Sequence, residues 1–133
     1  AMNSGNHVML LGDFLVWMYE NIGGIRSDTR EIAFKKILFE PYFSTRLQFA
    51  DITTASPYGV IRSHWRKDRK KIIWNIEVPA NSHAEVHLPG IDLQHILESG
   101  NTISGRQDMK CTQLQNKTLV EIGSGNYLFS FTL

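Results

Sequence analysis

Between Ile72 and Val78 the sequence reads Ile-Ile-Trp-Asn-Ile-Glu-Val, with Ile72, Trp74, Ile76 and Val78 in one phase and Ile73, Asn75 and Glu77 in the other. A period of two belongs to an extended strand with one buried and one wetter face, because successive strand side chains point to opposite sides. Pro79-Ala80-Asn81-Ser82 interrupts the run. Alternation then resumes with Ala84, Val86 and Leu88 against His83, Glu85 and His87, and stops at Pro89-Gly90. The spacing predicts a hairpin of these two strands.

Shorter runs of the same kind flank this pair. Lys35 to Phe39 ends at Pro41, and Arg46 to Ala55 offers Leu47, Phe49 and Ile52 as inward residues around a bulge. Ser56-Pro57-Tyr58-Gly59 reads as a turn, after which Val60 to Trp65 places Ile61 and Trp65 on one face. His95 to Glu98, Leu119 to Ile122 and Tyr127 to Leu133 complete the set, parted by Gly100, Gly105 and Gly123-Ser124-Gly125. The expectation is a mainly β fold, an antiparallel β-sandwich of about eight strands. A chain of 133 residues fits one such domain.

The N-terminal quarter differs. Val8 to Ile22 reads VMLLGDFLVWMYENI without proline and runs into Gly23-Gly24, the pattern of a helix and its stop. Its apolar residues go most of the way round a 3.6-residue wheel, whereas a surface helix shows a stripe. Such a helix requires cover on more than one side, and one sandwich supplies only one. The reading is an α-helix left behind from a larger body, and its bare face would give the free chain a surface for self-association. An alanine ahead of Met2 reads as a tag-cleavage scar, so the lack of a signal peptide leaves the compartment of the parent open.

Composition narrows the partners. The formal net charge is +1, and the one basic cluster, Arg66-Lys67-Asp68-Arg69-Lys70-Lys71, sits where a solvated turn belongs, so no nucleic-acid partner is expected. No run approaches the roughly 18 apolar residues of a membrane span. The single cysteine, Cys111, excludes an internal disulfide and a cysteine-based zinc site. Motifs for a nucleophile elbow, a phosphate loop, a zinc-protease helix or an EF-hand are absent, and no cofactor is expected. Thirteen acidic residues leave a carboxylate pair assembled through space open.

Some residues carry two readings. His83, Glu85 and His87 share a strand face and would converge on a metal if a third kind of ligand joined them; the alternative is the wet face of an edge strand. Tyr58, Trp65 and Trp74 would form a stacking platform for sugars in a carbohydrate-binding module, but Trp65 and Trp74 are in phase with core residues. His64 and His95 stand alone and receive no role. Asn116-Lys117-Thr118 matches the short glycosylation acceptor pattern. Asn6-His7 precedes the apolar helix, where His7 either caps a surface loop or faces a cleft.

The chain resembles the C-terminal end of bacterial α-L-rhamnosidases, glycoside hydrolase family 78. Asn6-His7 through Gly23-Gly24-Ile25 is similar to that family's Asn-His loop and last barrel helix. Ser56-Pro57-Tyr58-Gly59, Val78-Pro79-Ala80-Asn81-Ser82, Ala84 to Pro89 and Glu121 to Tyr127 follow in the family's order. The resemblance implies an (α/α)6-barrel catalytic domain upstream, with residues 1–25 as its terminal helix and residues 26–133 as the sandwich behind it. It implies hydrolysis of terminal α-L-rhamnosyl bonds with inversion, by carboxylates on the barrel and none in this piece, and a rhamnose-containing glycoside as substrate. One site residue transfers, His7, which matches the histidine lining the sugar pocket; Asn3-Ser4-Gly5 before it depart from the family pattern.

Overall fold

A computed structural model describes residues 24–27, 35–43 and 46–133. Eleven strands run through them: β1 (Ile25–Ser27), β2 (Lys36–Phe39), β3 (Phe49–Ser56), β4 (Gly59–Asp68), β5 (Lys71–Val78), β6 (His83–Pro89), β7 (Leu97–Glu98), β8 (Asn101–Thr102), β9 (Lys110–Gln113), β10 (Lys117–Ile122) and β11 (Gly125–Thr132). They form a five-stranded sheet, β1-β2-β6-β10-β9, and a six-stranded sheet, β3-β4-β5-β11-β7-β8. The one helical element among the described residues is a single 3₁₀ turn, Leu93–His95. The predicted helix, Val8 to Ile22, lies outside the described residues, and so does the self-association surface assigned to it.

The phase read from the sequence decides what is buried. Ile72, Trp74, Ile76 and Val78 of β5 face Ala84, Val86 and Leu88 of β6 across one continuous core, which also takes in Ile61 and Trp65 of β4, Val120 and Ile122 of β10, and Phe129 and Phe131 of β11. Trp74 stands opposite both Trp65 and Phe129 in strand register. Phe43 lies over this row, edge-on to Trp74, Trp65 and Phe131 at 5.3, 5.5 and 5.5 Å between ring centres. Each such pair contributes about 0.5–1.5 kcal/mol beyond the area it removes from water. The tryptophan polar group is also met, since Trp74 Nε1 donates to the buried Ser63 hydroxyl at 2.9 Å.

Three expectations need correction. β5 and β6 are not a hairpin: β5 pairs with β4 and β11, and β6 with β2 and β10. Pro79 to Ser82 carries the chain from one sheet to the other, and the alternation is the same either way because both strands bury one face in the shared core. The sandwich is also not wholly antiparallel. β2 and β6 pair in parallel, Ile37 opposite Ala84 and Phe39 opposite Val86, because the chain crosses to the six-stranded sheet for β3 to β5 before returning. Finally, Leu47 and Phe49 are exposed, and Ala50 and Ile52 turn inward in strict alternation, with the pairing of β3 to β4 unbroken from Phe49–Arg66 to Ser56–Gly59. The strand count exceeds the expected eight because β1, β8 and β9 are short or polar, with too few residues to show a period.

The described chain begins at a constrained residue. Gly24 has φ of +69°, and a Cβ there would lie 2.1 Å from Pro41 N. Its carbonyl accepts from Glu40 N at 2.7 Å. Only glycine allows that backbone approach.

Candidate functional site

The polar face of β6 lies at the centre of the five-stranded sheet and not at an edge, which corrects the edge-strand reading. Side chains of neighbouring strands close over it. His87 Nδ1 is 3.1 Å from Glu40 Oε2, and His87 Nε2 is 2.9 Å from Glu85 Oε1, at an angle that leaves the nitrogen without a hydrogen bond. Lys36 approaches Glu85 at 3.4 Å, Lys117 Nζ lies 3.2 Å from Glu40 Oε2, and Arg26 closes the group on Glu40. Burial pushes the Glu40 carboxyl up, but His87, Lys117 and Arg26 more than offset this and hold it below the ordinary carboxylate value. This arrangement neutralises charge between strands. It brings together no third ligand, and among the described residues no group of three His, Cys, Asp or Glu side chains is placed to hold a metal ion.

The aromatic platform does not form from the expected residues. Trp65 and Trp74 are fully buried in the core, and Tyr58 is half-buried in the β3–β4 turn. Among the described residues the aromatic rings that face solvent are those of Tyr42 and Phe49. Sequence periodicity had already placed the tryptophans inward, but Phe49 was assigned the wrong phase.

His64 sits on the outer face of β4, 3.3 Å by Nδ1 from Arg62, whose guanidinium donates to both oxygens of Asp51 at 3.1 and 2.9 Å. Those bonds hold the Asp51 carboxyl below its usual range. His95 borders an open groove of about 450 Å³ together with Ile91, Gln94, Leu97 and Thr132, and no carboxylate lines it. In the basic cluster, Arg66 to Asp68 still belong to β4, and Arg69-Lys70 make the two-residue turn, with Arg69 at φ +60°. Asn116 is exposed, while Thr118 is buried with its hydroxyl directed at Ile91 O. His7 lies outside the described residues.

Sequence reasoning passed over Glu98, the buried charged side chain of the described fold. Its Oε1 accepts from Arg106 Nη1 at 3.0 Å, and its Oε2 accepts from the Ser99 hydroxyl at 2.6 Å and from Leu128 N at 3.1 Å. Arg106 also forms a two-bond pair with Asp108 at 2.9 and 2.6 Å. Burial raises the Glu98 carboxyl, yet the three donors win and leave it low. The Asp108 carboxyl is lowered by Arg106 in the same way. Among the described residues the four shifted carboxyls, Glu40, Asp51, Glu98 and Asp108, all move downward, which suits ion pairs; a general acid at neutral pH requires a raised value.

The fold and sequence have known relatives. Residues 24–102 match the bacterial alpha-L-rhamnosidase C-terminal domain. An alpha-L-rhamnosidase of Formosa agariphila is 31% identical over 126 residues, 94% of this chain and 13% of that protein. One of Streptomyces avermitilis is 26% identical over 129 residues, 97% of this chain and 12% of that protein. Among solved structures, the alpha-L-rhamnosidase of Dictyoglumus thermophilum superposes with a TM-score of 0.75 at 28% identity, over 88% of this chain and 13% of that one. The Streptomyces avermitilis enzyme complexed with L-rhamnose superposes at 0.71 and 23% identity, over 87% and 10% of the two chains, which bears on the fold alone. This chain thus spans about an eighth of its curated relatives. With a family match over more than half of its length and one sandwich fold in common, the chain belongs to the bacterial α-L-rhamnosidase C-terminal domain family.

Proposed function

We propose that this chain is the C-terminal piece of a longer glycosidase that hydrolyses terminal α-L-rhamnosyl linkages with inversion, and that it supports the catalytic barrel. The carrying observation is the match of residues 24–102 to a C-terminal domain family, together with curated alpha-L-rhamnosidases of which this chain covers only 13 and 12%. In this reading residues 1–25 end the upstream barrel, residues 26–133 form the sandwich, and His7 lines the sugar pocket at the seam. The acid and base are carboxylates of the barrel.

The test is an aryl α-L-rhamnoside assay on the full-length parent and on the 133-residue chain, with NMR observation of the first-released sugar. The expected result is turnover by the parent alone, with the β-anomer appearing first. Turnover by the short chain, or first release of the α-anomer, would overturn the corresponding half of the proposal. His7→Ala in the parent should raise KM more than it lowers kcat.

A further inference from the structure

The apolar side chains that remain exposed are not spread evenly over the sandwich. Tyr42, Phe49 and Leu133, exposed to 60, 64 and 47%, belong to the same end. Phe43, next to Tyr42, touches the rings of Trp65 and Phe131. Trp65 precedes Arg66, which stands opposite Phe49, and Phe131 precedes by two residues Leu133, whose N–H donates to Lys70 O at 2.9 Å. Arg66, Arg69, Lys70 and Lys71 rise at this end with a single acidic neighbour in the turn, Asp68, and among the described residues none of the four cations is in an ion pair. An exposed apolar group with a mainly cationic rim is the pattern of a contact surface and not of an ordinary wet turn.

The first described residue lies at the same end. Gly24, the residue to which the preceding chain is joined, is seated on Glu40 and Pro41, one residue from Tyr42. We propose that this end of the sandwich, built on Tyr42, Phe49 and Leu133 and rimmed by Arg66, Arg69, Lys70 and Lys71, is the surface that seats the upstream part of the parent chain. The matching face is apolar with acidic groups around it. The inference rests on reading this chain as a C-terminal piece. What selects the upstream chain as occupant is that Gly24, to which it is joined, lies at this end, together with the match to a C-terminal domain family and relatives of which this chain covers only 13%.

The test uses the full-length parent in three variants: Tyr42→Ser/Phe49→Ser at the proposed contact, Arg69→Glu/Lys70→Glu at its rim, and Val60→Ser/Leu128→Ser as a control. The control residues are exposed to 47 and 43%, Val60 at the opposite end of β4 and Leu128 midway along β11. Calorimetry of the unaltered parent should show the sandwich unfolding together with the rest. The two contact variants should split that transition or lower its midpoint by at least about 5 °C, while the control moves it by less than about 2 °C. Independent transitions in the unaltered parent, or equal shifts in contact and control variants, would overturn the proposal. So would sedimentation showing a dimer that only the contact variants dissociate, which would make a second copy the occupant. Rhamnoside turnover is measured separately: an inactive parent with coupled unfolding refutes the proposed function and not the contact, and an active parent with uncoupled unfolding does the reverse.

Discussion

Glu98→Gln isolates the buried carboxylate that ties β7, β11 and the Arg106 loop together. The substitution preserves shape and removes one acceptor. In the native fold both oxygens accept, Oε1 from Arg106 and Oε2 from Ser99 and Leu128 N. A glutamine must turn its NH₂ toward either Arg106 or Leu128 N–H, neither of which can accept. Whichever way the amide turns, one buried donor faces another, at a cost of about 1–3 kcal/mol. The larger figures for breaking a buried ion pair do not apply, because Arg106 keeps both bonds to Asp108 and is reached by water. The pH dependence supplies an internal check. The folded-state value of Glu98 is lowered, so its stabilisation is fully present above the unfolded value of about 4.3 and is lost as pH falls through the folded value. Urea unfolding of the 133-residue chain should therefore show the full deficit at pH 7 and a smaller one at an acid pH where native Glu98 has taken up a proton. A deficit of equal size at both pH values, or one below about 0.5 kcal/mol at pH 7, would refute the assignment of Glu98 as a charged clamp.

Gly24→Ala places a Cβ 2.1 Å from Pro41 N in a backbone of φ +69°, so both strain and contact oppose it; a loss of at least about 2 kcal/mol in urea unfolding is expected. Ser63→Ala leaves Trp74 Nε1 buried without a partner and should cost about 1–3 kcal/mol, and Trp74→Phe in the same background should cost less than it does alone, as a double-mutant cycle will show. Arg62→Ala removes an exposed pair with Asp51 and should shift stability by less than about 1 kcal/mol, with most of that vanishing in 1 M salt. The Cys111 thiol is raised, by burial first and by Asp108 second, so alkylation at pH 7 should be slower in the folded chain than in urea.

The core was legible and the connections were not. Ile72, Trp74, Ile76 and Val78 were read as inward, and all four are buried. Burial is a property of one strand's phase, and phase is local. Pairing is not: whether Pro79 to Ser82 closes a hairpin or crosses between sheets depends on which strands already occupy the neighbouring positions. β6 is received by β2, through a parallel pairing whose two strands are separated in sequence by three strands of the other sheet. No window of the sequence contains both partners. Phe49 shows the complementary error. Leu47, Phe49 and Ile52 cannot share one face without a bulge, and the bulge was inferred to keep all three inside. The fold instead keeps the alternation and leaves the larger ring out, where it joins the surface proposed to meet the upstream chain.

The polar sites divide on the same principle. His83, Glu85 and His87 were recognised as one face because they lie two apart, but the groups that determine their chemistry arrive from β10 and from the end of β2, thirty residues on and about forty-five back. With Lys117 and Lys36 in place the face is a set of ion pairs, and the metal reading has no third ligand to draw on. Glu98 has no sequence signal of its own, since it ends the run His95 to Glu98 ahead of Ser99-Gly100 like any polar residue before a turn. Its one local feature is that Ser99 and Gly100 both adopt positive φ, the backbone of a tight two-residue hairpin, which brings the Ser99 hydroxyl onto the carboxylate. Arg106 and Leu128 then complete the site from eight and thirty residues away. A carboxylate held this way is stabilised as an ion by donors that only the finished fold assembles, so its function is to hold the finished fold together and not to move a proton.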